Sequence, residues 1–343
     1  MHRLTTAAAT AATAILAVTA PLDAAHAAAP EGECPAETVT VRTPAELGAA
    51  LAGAHGGTVI HLADGVYDGD WTATTAGTRA APIWLCGGSQ AILTNTGRGT
   101  AGAPGRRPGS QPGYGLHLDR ASWWRLHGFS VAHAKKGIVV DAAAHVTLRR
   151  LEIRDVDEEG VHLRRDTTDS MIVGNRVHGT GRTHDEWGEG VYIGSANTNW
   201  HLYTGGRPDR SDRNTVSGNV IHGTTAEPID IKEGTTGGLV TGNWLDAAAL
   251  TKAGGDSCGD VKGDDWLIAY NLCTGSGADG WQTHRKEGGG QWGRRAFFYR
   301  NLVALTASST GYGFRIDDPA HSSAIVHCDN LVLGAFSNVP CTP

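Results

Sequence analysis

The run AEPIDIKEG at 226–234 sets one carboxylate at Glu227, a second at Asp230 and an amine at Lys232. Two other runs repeat the theme: GEGVYIG carries Glu189 and Tyr192, and CGDVK carries Asp260 and Lys262. Carboxylates brought together repel unless a cation or a proton lies between them. Glu189, Glu227 and Asp230 would therefore make an all-oxygen site for a hard cation, and calcium is the usual choice in an exported protein. The plainer reading is that they are solvated, or paired with nearby lysines and arginines. The two lysines also have two readings. They are salt-bridge partners of Asp230 and Asp260 on a solvated face, or their mutual repulsion lowers one amine's pKa until it serves as a base near neutrality.

For residues so far apart in sequence to act together, a repeat must stack them. From about Trp123 onward a short strand, an asparagine and a second strand recur: IVGNRV (Asn175), VSGNVI (Asn219), VTGNWL (Asn243), IAYNLC (Asn271), FYRNLV (Asn301) and HCDNLV (Asn330). Asparagines placed this way stack in a turn, each side-chain amide bonding the next at the strand spacing of about 4.8 Å. A further strand type alternates with them: GVHLR, GVYIG, PIDIK, CGDVK, GWQTH and GFRID. Period-two alternation points its apolar residues inward and the rest outward. Stacked in register, the outward residues form three columns: Glu159, Glu189, Glu227, Ser257, Asp279; His162, Tyr192, Asp230, Asp260, Gln282, Arg315; and Arg164, Gly194, Lys232, Lys262, His284, Asp317. This predicts an all-β chain, a single-stranded right-handed parallel β-helix, with loops inserted at 197–212 and 247–257. Forty-eight glycines and little 3.6-residue periodicity argue against a helical fold. The exception is TPAELGAALAGA at 43–54, with Thr43 as N-cap and Pro44 at N1, read as an N-terminal capping helix.

Residues 1–29 read as a secretory signal peptide: a weak basic start, an uncharged alanine-rich stretch and small residues around Ala25-His26-Ala27. Residues 30–343 would then be one domain, secreted and extracellular. Cleavage removes Arg3 and Asp23, which cancel, so the net charge of −6 persists and argues against a nucleic-acid partner. No segment approaches the length of a membrane span, and a monomer is expected. Six cysteines in an exported chain favour disulfides, with neighbours in sequence pairing as Cys34–Cys86, Cys258–Cys273 and Cys328–Cys341. No zinc spacing is present.

The stretch 226–246, AEPIDIKEGTTGGLVTGNWLD, resembles the active-site coil of the family-six polysaccharide lyases, the chondroitinase B and alginate lyase group. In that family a calcium-binding glutamate precedes a catalytic lysine by five residues, the spacing of Glu227 and Lys232. The resemblance implies a lyase acting on an anionic, uronic-acid-containing polysaccharide, with calcium on Glu227, Glu189 and Asp230 and with Lys232 as base. Lys262 stands where the family has an arginine proton donor, and Thr225 where it has a second glutamate. The acid would be Lys262, or His284 or Arg285 from the next coil. Arg164, Tyr192, Asp230, Asp260 and Arg315, with Trp187 and Trp281, would contact the sugar chain. A glycoside hydrolase is the first rival, since GEGVYIGSA is similar to the polygalacturonase GHGxSIGS segment with Glu189 in place of its histidine. A uronan epimerase and a non-catalytic carbohydrate-binding β-helix are the others.

Overall fold

A computed structural model describes residues 34–97 and 113–343; the proposed signal peptide at 1–29 lies outside them. The chain winds through three parallel sheets in a fixed order. The first sheet has eleven strands, from Val39–Val41 to Ile325–Val326. The turn after it leads into a second sheet of ten strands, from Gly65–Asp68 to Leu331–Leu333. A third sheet of ten, from Thr72–Ala73 to Ala335–Ser337, returns the chain to the first. The result is the expected right-handed parallel β-helix, and the third is the site sheet. No helix of the described residues is long and apolar enough to cross a membrane.

The asparagine turn between the first two sheets explains why the strands stay in register. Asn219 Nδ2 donates to Asn243 Oδ1 at 2.9 Å, Asn243 to Asn271 at 2.9 Å and Asn271 to Asn301 at 3.0 Å. The ladder ends at Asn330. Each Oδ1 also accepts the backbone N–H of the preceding asparagine. The residue before each asparagine from Asn175 to Asn301 is left-handed, whether Gly218 (φ +62°) or Tyr270 (φ +58°), which is why glycine precedes three of the ladder asparagines. Successive asparagines lie 24 to 30 residues apart, except the 44 between Asn175 and Asn219. That long coil carries two insertions, within 179–190 and 194–214, one on each side of the site-sheet strand Val191–Ile193.

Inside the coil, Val161, Leu163, Val191, Ile193, Ile229, Ile231 and Val261 are wholly buried. A helix forms at Pro44–Ala52, with Thr43 accepting from Glu46 N at 3.2 Å and with Leu47 and Leu51 buried in the core cluster. The strand Val39–Val41 before it, paired with Val59–Leu62, was too short to read in the sequence. All three expected disulfides are present. Cys258–Cys273 ties a site-sheet strand to its neighbour in the second sheet.

Candidate active site

The strand pairing aligns Val161, Val191, Ile229, Gly259 and Trp281 on successive rungs, and with them His162, Tyr192, Asp230, Asp260 and Gln282. The outward columns therefore stack as the alternation requires. They are not a solvated wall, however. Glu189 and Glu227 are each 6 % exposed and Asp230 only 2 %, because the inserted loops and the neighbouring charges cover them. Buried charges must be paired or neutralised, and here most are paired between rungs.

Asp230 is the hinge of this network. Its Oδ2 meets Lys232 Nζ at 2.6 Å and its Oδ1 meets Lys262 Nζ at 2.8 Å. Lys262 also holds Asp260 at 2.6 Å, and Asp260 lies 3.3 Å from His284. Burial alone would lower both amines, but the bonded carboxylates outweigh it and raise Lys232 and Lys262 above the ordinary lysine value. The expectation that mutual repulsion would lower one amine is thus corrected: an aspartate lies between the two lysines. The carboxylates without a lysine behave oppositely. Burial, then the charges of Asp260 and Asp230, pushes Glu227 up to about 8. Burial with Glu159 and Asp230 raises Glu189 well above the carboxylate range.

A cleft of about 400 Å³ opens over the N-terminal half of this network, lined by Glu189, Tyr192 and Lys232, by His162 and Lys136, and by Trp187 and Tyr203 on the inserted loops. Lys232 Nζ sits 4.8 Å from the centroid of the Tyr192 ring. Gly194 sits against the next rung at φ +85°, where a Cβ would lie 2.7 Å from Thr235 Cγ2 and 3.3 Å from the Lys232 Cβ. Its carbonyl accepts from His162 Nε2 at 2.9 Å, and the His162 ring packs edge-on against Tyr192 at 4.5 Å. Burial keeps His162 below its ordinary pKa. Burial, then Asp230 and Glu189, raises Tyr192, so its phenol stays protonated. Among the described residues that hydroxyl makes no hydrogen bond, and Glu189 Oε2 is buried without a partner.

Several expected site residues lie elsewhere. Trp281 is fully buried, on an inward strand position, and occupies the space left by Gly259, where a Cβ would approach its ring to 2.4 Å. Asp230 and Asp260 do not line the cleft and serve as lysine partners, with Lys262 shut in between them. Arg164, 4 % exposed, is bonded twice to Asp141 and covered by Tyr203. His284 and Arg285 do not line the cleft; Arg285 donates to Trp292 O at 2.8 Å in a neighbouring hairpin. Arg315, four rungs beyond Tyr192, is tied to Asp279. Lys136 and Tyr203 were not read in the sequence. One more rung of register, at KGIVVD, would have found Lys136; no local signal marks Tyr203.

Glu189, Glu227 and Asp230 each offer an oxygen within 4.8 Å of the others. This all-oxygen set, with the partnerless Glu189 Oε2, fits a hard divalent cation. Glu227, Asp256 and Asp260 form a second such cluster.

No family model matches the chain, and no curated protein matches it by sequence. Among solved structures it is similar to an alginate lyase from Paenibacillus sp. str. FPU-7, 32 % identical, with a TM-score of 0.77 over 88 % of this chain and 97 % of that one. The pectate lyase Pel9A superposes at 0.58 with 12 % identity, over 90 % of this chain and 82 % of that one. PfbA, a surface adhesin of Streptococcus pneumoniae, superposes at 0.54 with 10 % identity, over 84 % and 79 %. The last two share the fold alone. Identity above 30 % across nearly the whole of the first enzyme says more: the chain belongs to the parallel β-helix polysaccharide-lyase family represented by that alginate lyase.

Proposed function

We propose that this protein is a secreted lyase that cleaves a polyuronate, alginate foremost, by β-elimination in the cleft above Lys232. The observation that carries the reading is the convergence there of an amine, Lys232, and an unbonded phenol, Tyr192, beside a partnerless carboxyl oxygen. The alginate lyase relative supports the choice of substrate, and three disulfides suit an exported protein.

β-Elimination removes the proton at C5 of a uronate and expels the glycosidic oxygen from C4. Lys232, as the free amine, takes the C5 proton; the C–H electrons form the C4–C5 double bond; the C4–O bond breaks; and Tyr192 donates its proton to the departing oxygen. Tyr192 is suited to this role because its raised pKa keeps it protonated. Lys232 rests as ammonium, so the active fraction is small and grows tenfold per pH unit. The rate should therefore climb with pH between about 7 and 9. A calcium ion held by Glu189, Glu227 and Asp230 would neutralise the uronate carboxylate and so acidify C5. Asp230 and Lys262 act through Lys232, fixing the height and direction of its amine over Tyr192.

The test is product absorbance. Incubation with alginate, pectate, glucuronan and chondroitin should yield unsaturated, ultraviolet-absorbing ends from alginate, whereas a hydrolase would yield reducing ends alone. Lys232→Ala and Tyr192→Phe should each lose on the order of 10²-fold or more in kcat with the fold unchanged. A Lys232→Ala enzyme at the parent rate would remove the proposal.

A further inference from the structure

The 195–212 insertion is held far more firmly than a surface loop requires. Asp209, wholly buried, accepts from Arg165 N and Asp166 N at 2.9 Å and from Ser195 Oγ and Ser211 Oγ at 2.7 Å. Trp200 Nε1 donates to Ser195 O at 2.9 Å, and Asn197 N donates to Glu233 Oε1 at 2.6 Å, beside Lys232. A buried aspartate with this many acceptor bonds fixes one backbone path. That path carries the short helix Trp200–Tyr203 to the edge of the cleft.

At its end, the Tyr203 ring lies over the Arg164 guanidinium, 4.4 Å from Cζ to centroid. Arg164 is itself immobile, with two bonds to Asp141 and one to the Tyr114 hydroxyl at 3.1 Å. Its Nη1 makes no hydrogen bond although buried, and the guanidinium lies between two rings, with Tyr203 the nearer and Tyr114 at 5.5 Å. Trp187, 48 % exposed, also lines the cleft, from the loop before the strand Val191–Ile193. Flat aromatic faces held rigid bind pyranose rings at little entropic cost, since a sugar presents a patch of C–H groups to them.

We infer that Tyr203 is a sugar-stacking platform of the cleft, receiving a pyranose of the polyuronate on the face turned from Arg164, with Arg164 and Asp209 as positioning residues. This rests on the lyase reading of the cleft and adds to it a contact that recognises the ring rather than its charge.

The experiment compares Tyr203→Leu and Tyr203→Phe with the parent on alginate, measuring KM and kcat separately together with Tm. Loss of one aromatic stacking partner predicts a KM rise of roughly 3- to 10-fold for Tyr203→Leu, with kcat within about twofold and Tyr203→Phe at the parent KM. Arg164→Lys, which keeps a charge for Asp141, should raise KM similarly, and the double variant should be no worse than either single change. A folded Tyr203→Leu enzyme with unchanged KM, in a series where Lys232→Ala is inactive, would overturn the platform alone. If Lys232→Ala were also fully active, the underlying reading would fall with it.

Discussion

Replacing Asn243 with alanine isolates the contribution of the asparagine ladder. Its Oδ1 is the acceptor for Asn219 N and Nδ2, both at 2.9 Å, and its Nδ2 donates to Val216 O and Asn271 Oδ1, both at 2.9 Å. It is 1 % exposed, so water cannot substitute for the missing amide. Orphaning the Asn219 N–H costs about 1–3 kcal/mol, and each lost amide donation costs about 1 kcal/mol more. Three such donations are lost, so the total is about 4–6 kcal/mol. At about 2–4 °C per kcal/mol for large domains, Tm should fall by on the order of 10 °C. The ladder lies in the turn between the first and second sheets, so kcat/KM at a temperature where both proteins are folded should match the parent. Circular dichroism melting with a steady-state assay at low temperature checks both halves. A Tm within 2 °C of the parent would refute the claim that the stacked amides hold the rungs in register.

Other measurements bear on the site. Glu227 is pushed to about 8 in the folded chain, so its acid form favours folding; that contribution is complete below the ordinary carboxylate range and disappears as pH rises through 8. In chelator, parent stability should decline from pH 5 to 8, and Glu227→Gln, neutral throughout, should decline less; parallel curves would count against it. Adding calcium to chelated protein should raise Tm, and Glu189→Gln should abolish the rise. A melt indifferent to calcium removes the cation from the mechanism. Trp281→Ala should cost about 3–5 kcal/mol as a core cavity while leaving KM alone, the opposite of what a sugar contact would do. Replacing both Cys258 and Cys273 opens a loop 15 residues long and should cost about 3 kcal/mol.

The solenoid was legible because its signals are periodic and repeated. The asparagine turns mark one corner of the coils from Asn175 to Asn330, and alternation marks the third sheet, so Glu189, Glu227, Asp230 and Lys232 fall together from the pattern alone. Alternation also contained the answer for Trp281, which shares its inward parity with Ile229 and Phe314; its type suggested a sugar contact, but its position forbade one. What the columns could not reveal was depth. A position that points out of the coil is exposed only if nothing covers it, and the covering residues come from insertions with no periodicity. Hence Asp260 and Lys262 were read as accessible when they are enclosed, and Tyr203 went unread, since its place depends on Asp209 and Arg164.

The buried Lys232–Asp230–Lys262–Asp260 row also bears on whether this face exists for stability or for chemistry. Removing charges from water costs several kcal/mol per ion, and a buried salt bridge repays that only with good geometry, so apolar residues of similar volume commonly serve stability as well or better. The interior of this coil is built that way, with valine, leucine and isoleucine filling the inward positions of the same strands. A fold able to pack those residues on one side of a strand gains nothing in stability from charges enclosed on the other. The row also leaves Glu189 and Glu227 without a lysine, and burial beside other carboxylates drives both towards the protonated form. Such a cost is retained where a positively charged partner or a proton must be taken up beside a fixed amine, and Lys232 is the member of the row that lines the cleft.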